Sequence, residues 1–199
     1  APRFENLMTA SPNTPETHSS AFERATTALL EPAGLDTGVV ARVAERLAAP
    51  GIDLGDLYFE HTRSESWSLE DGIVRSGSFH IDQGVGARAI VGDRAGLAYA
   101  DAYDRPTLDR AVASAVAITR AGGAGSEALP RPTLHAPLYG AIDPTRETDA
   151  AGKVDLLRRI DAYLRERDPR VEQVMASLTG RFTTVLVARP DGSLTADQR

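Results

Sequence analysis

Few side chains in this sequence have the chemistry for catalysis or metal binding. There are four histidines, His18, His61, His80 and His135. No two of them stand about three to five residues apart, the spacing of the close ligand pair in most zinc sites, and no His-Glu dipeptide occurs. His61 and His80 could meet across neighbouring strands, although two solvent-side imidazoles on a sheet need no further explanation. Carboxylates gather at Glu60, Glu65, Glu70, Asp71 and Asp82. A pair drawn from Glu60, Glu70 and Asp82 could do the acid–base work of sugar hydrolysis. Acidic residues on the wet face of a sheet account for the cluster without any chemistry. Gly84-Val85-Gly86 begins like a phosphate-cradling loop. The third glycine is missing, and a strand pattern follows where a helix N-terminus is needed, which excludes a nucleotide site. A strand bend there, or close approach of another backbone, is expected instead. Ser64, Ser66 and Ser68 lack the elbow setting of a nucleophile. No residue is assigned a catalytic, cofactor-binding or metal role.

The elements that hold these residues centre on 55–103, a stretch of alternating apolar and polar residues broken by turn signals. Leu57 and Phe59 alternate with Tyr58 and Glu60 over 56–61, and Trp67 and Leu69 with serines over 66–70. Asp71-Gly72 predicts a tight hairpin turn. Strands follow over 73–82 and 85–90, with Asp82-Gln83-Gly84 as a turn between them, then Gly92-Asp93 and a last strand over 95–100. Strands joined by short turns pair antiparallel, so this is a meander with one buried face.

Helices flank it. One is expected over 21–31, capped by Ser19 or Ser20, with Phe22, Ala25 and Leu29 along one side. A second is capped by Asp36 or Thr37 and carries Val39, Val40, Val43 and Leu47. A third starts near Asp104, with Pro106 in its first turn and an apolar stripe of Leu108, Ala111, Val112, Ala115 and Val116. Residues 122–144, rich in glycine and proline, make a long connection. A fourth helix over 145–167 turns Val154, Leu157, Ile160 and Leu164 to one side. Strands over 171–182, 184–188 and 193–197 finish the chain. The fold class is α+β, an antiparallel β-meander sheet flanked by helices. Residues 1–20 are expected to be a disordered tail and 21–199 one domain.

Composition removes whole classes of function. With 22 basic against 28 acidic residues the net charge is −6, against nucleic-acid binding as the main task. No run of about 18 apolar residues predicts a membrane span. Zero cysteines remove disulfides, thiol catalysis and thiolate metal sites, and fit a reducing, cytoplasmic setting. The first twenty residues show no secretory signal.

The central stretch resembles the N-terminal domain of the TldD/PmbA family, in its TldD branch. The resemblance rests on Gly55-Asp56-Leu57-Tyr58-Phe59, Glu65-Ser66-Trp67, Leu69-Glu70-Asp71, residues 81–90 (IDQGVGARAI) and residues 96–101 (GLAYAD). Pro137-Leu138-Tyr139, residues 156–161 (LLRRID), Asp191-Gly192 and Ala196-Asp197 follow in the same order. It spans roughly residues 30–199 and leaves out the first twenty. It implies the front part of a zinc metallopeptidase subunit that works with a TldE/PmbA-type partner on small or unfolded peptides, including modified antibiotic precursors. The family's His-Glu-x-x-x-His zinc motif belongs to the C-terminal half. Zinc is therefore expected in the full-length protein and none in this part, which is expected to be truncated and inactive alone. The other readings are a non-catalytic binding or assembly module and a carboxylate-dependent glycoside hydrolase.

Overall fold

The computed structural model describes residues 18–121 and 142–199. The expected tail through residue 17, most of the 122–144 connection, His135 and Pro137-Leu138-Tyr139 lie outside the described residues.

β1 (Leu54–Glu70) and β2 (Ile73–Val91) form one long antiparallel hairpin. Asp71 and Gly72 turn it at φ 50° and 74°, the left-handed pair that matches strand twist. β3 (Arg94–Ala100) folds back on the base of β2 through a turn with Gly92 at φ 59°. β4 (Met175–Ala188) pairs with the other side of β1, and β5 (Leu194–Gln198) with β4. The order is β3-β2-β1-β4-β5, antiparallel throughout, so the fold class stands as α+β.

The strands are fewer and longer than expected. Residues 56–61 and 66–70 are one strand, and so are 73–82 and 85–90. Residues 171–182 and 184–188 also resolve into the single strand β4, which starts at Met175. Asp82-Gln83-Gly84 is therefore no turn. It lies opposite Thr62, His61 and Glu60 in an unbroken ladder. The long partner strand satisfies this backbone, and that overrides a local turn signal.

Helices lie on the face that carries Leu57 and Phe59. α1 (His18–Leu29) packs on β4 and β5, and α2 (Thr37–Ala44) on β1 and β4. α3 (Arg105–Ala121) packs on β2 and β3. Ala25, Leu29, Val40, Val43, Leu47, Leu108 and Val112 join Leu57, Phe59, Val85 and Leu186 in one core. α1 begins at His18, so Ser19 and Ser20 lie inside it rather than capping it. Asp36 does cap α2, accepting from the Val39 N–H at 2.7 Å. Asp104 accepts from the Thr107 N–H at 2.9 Å at the head of α3. Gly96 lets α3 approach β3 closely: a Cβ there would stand 2.1 Å from the Ala115 carbonyl oxygen.

The expected fourth helix is split. α4 (Pro144–Glu147) is one turn, and Asp149 caps a separate α5 (Ala150–Arg167) by accepting from the Gly152 N–H at 2.8 Å. α5 covers the outer half of β1 and β4 on the same sheet face. Its rotation differs from the expected one. Lys153, Leu157 and Asp161 face inward, while Leu156, Ile160 and Leu164 are 39–41% exposed. The reason is electrostatic, since Lys153 pairs with Glu65 of β1 in the buried layer. The opposite sheet face carries Tyr58, Glu60, Thr62, Ser64, Ser66 and Ser68 and is covered by no described helix.

Candidate functional site

Two clefts collect the polar side chains. The first, of about 260 Å³, opens on the uncovered face and is lined by Tyr58, Glu60, Asp82, Gly84, Gly86, Tyr99 and Asp101 among others. The β1–β2 register sets Glu60 opposite Gly84 and Asp82 opposite Thr62, so the two carboxylates emerge on one face as diagonal neighbours. Glu60 is engaged at both oxygens, by the Tyr58 hydroxyl at 2.5 Å and the Thr62 hydroxyl at 3.1 Å. Burial, then its hydrogen bond to Glu60, pushes the Tyr58 phenol up to about 12. Gly84 fits the expected close approach of another backbone, whereas Gly86 is approached by a side chain. A Cβ on Gly84 would meet the Ala100 carbonyl at 3.1 Å, and one on Gly86 the Tyr99 ring at 3.1 Å.

The other expected carboxylates are committed elsewhere. Glu65 is buried against Lys153. Glu70 accepts from Arg75 at 3.0 Å and Gln173 at 2.8 Å. Asp71 accepts from Arg165 and from the Val174 N–H, and the latter bond does most to hold its carboxyl below the usual range. Thus of the three residues considered for sugar hydrolysis, Glu70 stands apart from Glu60 and Asp82. His61 pairs in register with Gln83 and His80 with Ser64, which sends the two imidazoles to opposite faces. They do not meet. Ser68 Oγ lies 2.7 Å from Ser76 Oγ, a cross-strand hydroxyl pair.

The second cleft, of about 620 Å³, lies on the helical face between α1 and α4. His61, Arg63, Asp143, Arg146 and Phe182 line it, with Arg24 and Gln198 at its α1 side. Arg63 donates to Asp143 and sits over the Phe182 ring at 5.8 Å. Burial, then Arg63, then Arg146 push the His61 imidazole below its usual range. Arg63 and Asp143 escaped sequence reasoning. Their only signal was the alternation that puts Arg63 two residues beyond His61 on the same strand face.

Among the described residues no three His, Asp or Glu side chains converge as metal ligands. The described donors therefore do not fit a zinc ion. No described helix is long and apolar enough to cross a membrane.

Residues 55–119 match the family described as PmbA/TldA metallopeptidase domain 1, and residues 143–199 the PmbA/TldA metallopeptidase central domain. The chain is 36% identical over 173 residues to the metalloprotease TldD homolog of Haemophilus influenzae, covering 86% of this chain and 36% of that protein. It is 37% identical over 178 residues to the homolog of Buchnera aphidicola, covering 89% and 37%. The solved TldE of Thermococcus kodakarensis shares the fold at a TM-score of 0.56 and 16% identity, over 79% of this chain and 36% of that one. The chain thus spans about a third of the length of the curated relatives it matches.

Proposed function

The chain belongs to the PmbA/TldD family of metallopeptidases, and from that membership we propose that it is the front part of a TldD-type subunit. The carrying observation is the pair of family domains matched in order along one chain. In this reading the whole subunit hydrolyses small or unfolded peptides together with a TldE/PmbA-type partner, in the cytoplasm. None of the described residues would hold the zinc expected in the whole subunit, where the metal would supply a polarised water. This part is inactive alone.

What these residues contribute is a place for extended backbone. β3 pairs with β2 only from Val85 to Val91, so the outer edge of β2 from Ile73 to Gly84 has no strand partner among the described residues. The free edge stops short of Val85 and Gly86, which are taken by β3. A peptide or partner strand can add there by main-chain hydrogen bonds. Proline substitutions at Ser78 and Phe79, tested singly, place one ring on the outward N–H row. At least one should weaken peptide or partner binding, and unchanged binding in both would remove the edge from this role.

The function itself is tested with the 199-residue chain incubated with zinc and an unfolded peptide, alone and beside a full-length TldD–TldE pair. Cleavage by the pair only is the expected result. Retained stoichiometric zinc with chelator-sensitive cleavage by this chain alone would overturn the division of labour.

A further inference from the structure

Among the described residues, the cleft between α1 and α4 carries three arginines against two carboxylates. Arg24, Arg63, Arg146 and His61 face Glu23 and Asp143, in a chain whose net charge is −6. Asp143 is fully occupied. Arg63 donates to it, as do the Thr145 N–H at 3.0 Å and the Thr145 hydroxyl at 2.6 Å, while Arg146 stands off at 3.9 Å. Arg24 Nε donates to the Gln198 side-chain oxygen at 2.7 Å. Arg63 retains a donor, because its Nε is buried and has no hydrogen-bond partner among the described residues. A buried guanidinium N–H calls for an acceptor. Phe182 and Ile81 supply apolar wall beside it.

We propose that this cleft binds a carboxylate group, through the remaining Arg63 donor and the rim guanidinium of Arg146. The free Nε–H of Arg63 and the guanidinium of Arg146 can each donate to a carboxylate oxygen, and partial burial strengthens the contact. The lowered imidazole of His61 reports the same positive field, since Arg63 and Arg146 contribute to it after burial. A bound anion would reverse that influence. The inference is independent of the peptidase reading, because it concerns binding by this chain alone. The carboxylate can come from a peptide chain end or from an acidic side chain.

The test follows the His61 ring resonances of the 199-residue chain by NMR, with His61→Asn to assign them. The probes are N-acetylglycine, its uncharged amide, and N-acetylaspartic acid α-amide, which carries a side-chain carboxylate. At least one carboxylate should give a saturating shift and raise the His61 pKa, and the uncharged amide should not. The tighter carboxylate identifies the source. Arg146 is 76% exposed, so Arg146→Ala should leave the fold intact yet weaken binding about threefold or more. Arg63→Lys should weaken it as well, because lysine has no donor at the Nε position. No saturating shift, equal binding of the amide, or wild-type affinity in both variants would overturn the proposal.

Discussion

Lys153 of α5 sets its ammonium 2.6 and 2.8 Å from the two oxygens of Glu65 on β1, and both side chains are only 6% exposed. The remaining polar demands are met nearby. Lys153 also donates to the Thr145 carbonyl at 2.9 Å, and Glu65 accepts from the Trp67 indole at 3.2 Å. One ion pair therefore joins the outer half of the sheet to the helix above it. Replacing Lys153 by Met leaves a buried carboxylate without its cation, which costs about 3 kcal/mol or more. Urea unfolding should show that loss, and adding Glu65→Leu should recover part of it. A single variant as stable as wild type would mean that α5 is anchored in another way.

The same pair fixes which side of α5 is inside. Leu157 is 1% exposed, so Leu157→Ala should destabilise by about 3 kcal/mol. Ile160 is 39% exposed, and Ile160→Ser in this chain should stay within about 0.5 kcal/mol. Reversed magnitudes would refute the rotation described.

Gly96 is the contact point between β3 and α3. An added methyl would face the Ala115 carbonyl at 2.1 Å and the Thr119 hydroxyl at 2.2 Å. Backbone cannot step aside as a flexible side-chain end can, so Gly96→Ala should cost about 1–3 kcal/mol. A thermal melt unchanged by the substitution would contradict the packing.

His61 gives a pH dependence of definite sign. Its folded pKa is lowered, first by burial and then by Arg63, whereas the unfolded chain titrates near about 6.5. Below that pH the unfolded state binds more protons, so stability falls as pH drops from about 6.5 through the folded value. Urea unfolding between about pH 7.5 and 5 should show wild type losing more stability than His61→Asn. Parallel curves would show that the imidazole keeps its ordinary pKa in the fold.

Much of the molecule follows from local rules visible in the sequence. The Asp71-Gly72 turn, the caps at Asp36 and Asp104, and the inward Leu57 and Phe59 are matters of backbone conformation and period, which a few neighbouring residues determine. The resemblance that led to the family rests likewise on ordered residue types. The clefts were not legible in this way. Glu60 and Asp82 come to one face because a hairpin with strands of 17 and 19 residues holds register, and His61 and His80 part for the same reason. Arg63 meets Asp143 across 80 positions of chain.

By itself, then, the sequence determined the fold class, the main turns, the proximal core and the absence of thiol chemistry. The tertiary structure alone decided that Asp82-Gln83-Gly84 runs straight, that α5 turns Lys153 rather than Ile160 inward, and that arginines from α1, β1 and α4 line one cleft. Those outcomes depend on partners distant in sequence. A ladder neighbour or a buried counter-charge outweighs the local preference of a few residues, and neither is written beside the residue it governs.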